Sequence, residues 1–152
     1  MTKQAKQELY EQLLIEADAV IDSNISWIGN TANLCALIQS HFQHWWCGFY
    51  FVNTNNQLEL GPFVGPVACT LISHGKGVCG TAWKEQKTII VPDVHQFEGH
   101  IACSAASNSE IVVPIFKGET TVAVLDIDSV EFNTFDETDQ YYLERLVKRL
   151  PF

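Results

Sequence analysis

Two runs of apolar and β-branched residues, Ile111–Phe116 and Thr121–Asp128, flank the short polar turn KGE and constrain this chain more than any other feature. Such a pair around a glycine reads as an antiparallel hairpin. A second hairpin is predicted upstream, where the aromatic-rich run Trp45–Val52 meets the turn NTNNQ and the short return strand LELG. Ala68–Ile72 is a brief apolar segment, and Thr88–Val91 is a strand stopped by Pro92. Helical spacing marks residues 3 to about 21, through Leu9, Leu13, Leu14, Ala17, Val20 and Ile21. It also marks Asn30–Phe42, with Asn30 or Thr31 as cap, Val78–Gln86 after a glycine loop, and Phe135–Leu150 with Asp136 as cap. Hairpins in the middle and helices towards the ends predict an α+β fold, one mostly antiparallel sheet with helices packed on a face.

A chain of 152 residues fits a single domain, 1–152, with a full core. No apolar run is long enough for a signal peptide or a membrane span, so a cytoplasmic location is expected. Nucleic acid and anionic membranes are poor partners for a net charge of −9, whereas a small cationic or zwitterionic ligand is readily accommodated. Five cysteines, an odd number in a reducing compartment, argue against a static disulfide framework.

Three of those cysteines, Cys69, Cys79 and Cys103, fall in one central segment that also holds four of the nine glycines. Cys103 lies in GHIACSAASNSE, where small uncharged neighbours leave the thiol accessible, inside a long irregular connection from Asp93 to Ser109. Cys35 and Cys47, in a helix stripe and a strand, read as small buried hydrophobes. Gly75-Lys76-Gly77-Val78-Cys79-Gly80 matches the dinucleotide string, but the hairpin-rich order lacks the βαβ unit it needs, so a tight loop around Cys79 is the better reading. Cys69, His74, Cys79, His95, His100 and Cys103 could ligate zinc, yet they show no C-x-x-C pair or deaminase signature. No metal is expected, and the histidines read as hydrogen-bonded loop residues.

Asp126 and Asp128, at i and i+2 of a strand, project from one face. They are either solvated acids at a strand end or, with Glu110 brought alongside by pairing through the turn at Gly118, a pocket for an ammonium group. Trp45, Trp46, Phe49 and Tyr50 are either core or the wall of a cavity for a methyl or thioether group.

The segments GPFVGPVAC, GKGVCGTAW, VHQFEGHIACSAASNSEIVVP and VLDIDS closely resemble the free methionine-R-sulfoxide reductases, a GAF-fold family, and the resemblance runs from about Trp46 to Leu150. It implies a GAF-like α/β/α domain, a central antiparallel sheet with helices on its faces. It further implies reduction of free methionine-R-sulfoxide, not the protein-bound form, with Cys103 as nucleophile, Cys69 as main resolving cysteine and Cys79 as a further redox cysteine. Glu110, Asp126 and Asp128 match the acids that bind the substrate's amino group, and Trp46 and Tyr50 match the aromatics flanking its sulfoxide and methyl end. No cofactor is implied beyond an external dithiol such as thioredoxin, and a homodimer is compatible with the family. The residues suit the chemistry, because a thiolate that attacks the sulfoxide sulfur is left as a sulfenic acid, which a second thiol converts to a disulfide. Many GAF relatives bind ligands without reacting on them, so the rival expectation is a non-catalytic sensor for an amino acid or cyclic nucleotide. A zinc-dependent hydrolase is a third.

Overall fold

Among the described residues, 1–101 and 105–152 of a computed structural model, six strands form one sheet. Helices α1 (Lys3–Val20) and α2 (Trp27–Phe42) precede strands β1 (Trp46–Val52), β2 (Gln57–Val64) and β3 (Leu71–Ser73). Helix α3 (Gly77–Glu85), strand β4 (Ile89–Val91) and a 3-10 turn at Val94–Gln96 follow, and the hairpin of β5 (Ser109–Lys117) and β6 (Thr120–Ser129) leads to α4 (Glu137–Val147). Every pairing is antiparallel, in the order β3-β2-β1-β6-β5-β4, so the two predicted hairpins lie side by side through β1 and β6. Gly118 opens the β5–β6 turn at φ +63°, the left-handed conformation that a two-residue hairpin turn takes at its first position. Pro114 is tolerated in β5 because the pairing of β4 ends opposite Val112, leaving that side of the strand without a neighbour.

Both faces of the sheet are covered, which differs from helices on one face and agrees with the α/β/α arrangement. On one face α1, α2 and α4 bury Tyr10, Leu34, Ile38, Phe49, Ile111, Val113, Leu125, Ile127 and Leu146. On the other, α3 and β3 pack Ile72, Val78, Ala82 and Trp83 against Trp46, Tyr50, Val112 and Val124. The cause is visible in β5 and β6, whose consecutive apolar residues point alternately to the two faces. Cys35 and Cys47 are buried in the first core, as expected.

Element boundaries depart from the predicted ones where side chains take local bonds. Helix α2 begins at Trp27, a turn before Asn30, because Asn30 does not cap. Its amide accepts from the Asp22 N–H and donates to the Asp22 carbonyl, both at 2.9 Å, fastening the α1–α2 loop. Thr31 bonds back to the Trp27 carbonyl at 2.7 Å. The return strand is longer than LELG, since β2 continues to Val64 past the end of its pairing with β3. Asp136 does cap α4, in a capping box completed by Asp139.

Asp139 also ties the two ends of the chain together. Buried beneath α1, it accepts from Lys6 Nζ at 2.6 Å, the Tyr10 hydroxyl at 2.8 Å and the Asp136 N–H at 2.8 Å. Asp139→Ala therefore leaves the buried Tyr10 hydroxyl without its acceptor and takes one of two carboxylates from Lys6 Nζ, which keeps Asp136 at 3.0 Å, and is expected to lower unfolding free energy by about 2–4 kcal/mol. Tyr10→Phe is expected to cost about 1.5–3 kcal/mol. Urea denaturation measures both, and a cost below about 1 kcal/mol for Asp139→Ala would contradict this role.

Candidate active site

Register assembles the site. Trp46 of β1 lies opposite Asp128 of β6, which lies opposite Glu110 of β5, which lies opposite Val91 of β4. In the next row on the same face, Gly48 of β1 and Val112 of β5 flank Asp126. A period of two sends Trp46, Tyr50, Glu110, Asp126 and Asp128 to the α3 face, where they line one cleft with Cys79, His100 and Ser107. Gly48 has to be glycine, because a Cβ there would sit 2.4 Å from the Trp46 ring and 2.5 Å from Phe63 Cβ. The freed space holds the indole, whose Nε1 donates to the Pro66 carbonyl at 3.0 Å and whose ring stacks on Tyr50 and Phe63. The Tyr50 hydroxyl donates to the Cys69 carbonyl at 2.9 Å. One aromatic wall thus touches the backbone of a redox-candidate cysteine.

The neighbouring stretch of the same sheet face is acidic. Glu110 and Asp126 are only 6% and 7% exposed, and Asp126 Oδ1 has no hydrogen-bond partner among the described residues. Burial, then the charge of Asp128, pushes the Glu110 carboxyl well above the ordinary carboxylate range, and burial with the charges of Asp128 and Glu110 does the same to Asp126. Burial raises Asp128 to about 6, opposed by the Ser107 hydroxyl, which donates to it at 2.6 Å, and by His100. His100 stands 3.7 Å from Glu110, but burial lowers its pKa, so it supplies little compensating charge at neutral pH. None of the three acids is in an ion pair with lysine or arginine among the described residues. The cleft is built for a cation that the described side chains do not supply.

The cysteines differ in state. Cys69 is disulfide-bonded, whereas Cys79 is a free thiol only 4% exposed on α3. Burial, then the neighbouring Asp126 and Glu110, pushes the Cys79 thiol well up, holding it as S–H rather than a reactive thiolate. Cys103 lies outside the described residues. The histidines weighed as metal ligands have other partners, His74 edge-on to Trp83 and His95 beside Asp93 at 2.8 Å. The glycine string forms the tight entry to α3, with Gly77 at φ +61° and no room for a Cβ on Gly80, which would meet the Ser73 carbonyl at 2.5 Å. With antiparallel pairing throughout, the dinucleotide reading has no βαβ unit to stand on.

Sequence reasoning missed two contributors. Ser107 is one small residue among several in the sequence, and its only signal is a position three before Glu110 in an otherwise irregular connection. Lys76, at the rim beside the N-terminus of α3, stands in the sequence only as part of the glycine string.

The sign of the carboxyl shifts gives a test. A carboxyl with a raised folded-state pKa binds its proton more tightly when folded, so the stability it contributes is complete below its unfolded pKa and lost as pH rises through the folded value. For Asp128 that window runs from about 4 to about 6. Asp128→Asn is expected to stabilise the ligand-free protein at pH 7, by up to about 3 kcal/mol, and to remove part of the decline in stability between pH 4 and 6. Unfolding curves across that range measure it, and an unchanged slope would contradict the assignment.

The chain matches the GAF domain family over residues 7–150. It is 49% identical over 150 residues to GAF domain-containing protein A of Dictyostelium discoideum, covering 99% of this chain and 95% of that protein. To the free methionine-R-sulfoxide reductase of Saccharomyces cerevisiae it is 43% identical over 151 residues, covering 94% and 84%. The structure superposes on free methionine-R-sulfoxide reductase from Neisseria meningitidis, solved in complex with its substrate, with a TM-score of 0.93 and 43% identity over 99% of this chain and 90% of that one. With this identity over nearly its whole length, on the same fold, the chain belongs to the GAF-domain family and, within it, to the free methionine-R-sulfoxide reductases.

Proposed function

We propose that this protein reduces free methionine-R-sulfoxide to methionine, using Cys103 as nucleophile and Cys69 as resolving cysteine. The observation that carries the reading is the buried trio Glu110, Asp126 and Asp128, beside an aromatic wall in a cleft with no lysine or arginine in ion-pair contact among the described residues. A free amino acid brings the ammonium that such a cluster requires, and Trp46 and Tyr50 suit its thioether end. A peptide-linked methionine has no ammonium and would leave the carboxyls unpaired, which accounts for restriction to the free form. The rim supplied by Lys76 and the N-terminus of α3 favours an anion, and suits the substrate's carboxylate.

In this account the Cys103 thiolate attacks the sulfoxide sulfur, the oxygen is protonated and transferred, methionine leaves, and Cys103 becomes a sulfenic acid. The Cys69 thiol displaces water from it to form a disulfide, and an external dithiol such as thioredoxin reduces that disulfide by exchange, supplying the two electrons that the sulfoxide consumed. The disulfide-bonded state of Cys69, beside a buried free Cys79, favours Cys69 for the resolving role.

The test is methionine release from separate R and S epimers of free methionine sulfoxide with dithiothreitol, beside an N-acetylated, C-amidated control. Release from the free R epimer alone is expected, and no release by folded, reduced protein would leave the non-catalytic ligand-binding domain. Cys103→Ser is expected to abolish turnover. Cys69→Ser with thioredoxin as reductant should stop after roughly one turnover per enzyme. Repeated turnover by Cys103→Ser would overturn the nucleophile assignment.

A further inference from the structure

We propose that Cys79, Glu110 and Asp126 form a site for one thiophilic divalent cation, zinc being the chemical type, on the floor of the cleft. Each residue offers one ligand atom, and the three atoms lie within 4.8 Å of one another with all three residues buried. Tetrahedral zinc, with bonds of about 2.0–2.3 Å, sets its ligand atoms about 3.5 Å apart, so small side-chain shifts close the trio on an ion. A thiolate with two carboxylates, and a fourth position open to the cleft, is a donor set of the zinc type. Within the trio the Asp126 carboxyl meets the Cys79 S–H and the Glu110 carboxyl, yet its Oδ1, more than nine-tenths buried and lining the cleft, has no hydrogen-bond partner among the described residues. A cation there accepts that lone pair and neutralises the repulsion among the acids.

Binding exchanges the Cys79 S–H proton, and any proton held by the Glu110 and Asp126 carboxyls, for bonds to the metal, with the protons leaving to solvent and no change in oxidation state. Cys79 is free while Cys69 is disulfide-bonded, so the site is available when the redox pair is oxidised. The ion uses carboxylates that the substrate's ammonium also needs, and the two exclude each other. That consequence, reversible inhibition by zinc competitive with substrate, rests on the proposed reductase reading. The metal site itself does not.

The experiment titrates Co2+ into the oxidised full-length protein, with Cys69 in its disulfide, and follows the thiolate-to-metal charge-transfer band. One equivalent is expected to develop the band, Zn2+ to bleach it, and Cys79→Ser to abolish it. Asp126→Asn, which keeps the thiol and the shape of the side chain, is expected to weaken Zn2+ binding in equilibrium dialysis by roughly 10-fold or more. Absence of a stoichiometric band, persistence of the same band in Cys79→Ser, or unchanged Zn2+ affinity in Asp126→Asn would each overturn the site. Turnover of metal-free reduced protein is measured separately, so failure of the reductase reading is distinguishable from failure of the metal site.

Discussion

Glu110, Asp126 and Asp128 are held together on adjacent strands, removed from water, with no lysine or arginine in ion-pair contact among the described residues. Like charges in such a place oppose folding unless they keep protons or meet a cation. The wild-type sheet carries this burden because both its faces are closed over apolar cores and because α1 and α4 are locked by Lys6, Tyr10 and Asp139. The site is thus destabilised locally on a scaffold stabilised elsewhere, the arrangement expected where a protein reserves binding energy for a ligand.

Pairing through β1, β6 and β5 is what makes the geometry specific. One row across the sheet carries Trp46, Asp128 and Glu110, and the next carries Gly48 and Asp126, so an aromatic wall and an acidic wall face the same cleft without any long-range loop having to be placed. Helix α3 then closes the floor with Cys79, a thiol kept protonated by the same acids that await a cation. The proposed substrate ammonium and the proposed metal ion are two answers to one electrostatic demand.

Much of this was legible in the chain. The alternation of TVAVLDID put Asp126 and Asp128 on one face, and the KGE turn brought Glu110 beside them, because strand period and turn length leave few registers. Motif-level resemblance carried the family. What escaped depended on side chains acting locally against their usual tendency: Asn30 clamps a loop instead of capping, which lengthens α2, and Ser107 is distinguished from its small neighbours only by its bond to Asp128. Coverage of both sheet faces turned on α3, a nine-residue helix whose apolar contacts are invisible until β3 and β4 are placed around it.

The most direct test of the central claim is calorimetric titration of free methionine into the oxidised protein at pH 6 in two buffers of different ionisation enthalpy, beside N-acetylmethionine. An ammonium entering a cluster of partly protonated carboxyls must expel protons, so binding of free methionine with net proton release, and no detectable binding of the acetylated form, is the result predicted. Equal binding of the two ligands, or binding of methionine with no proton release, would contradict an acid cluster that waits for a cation.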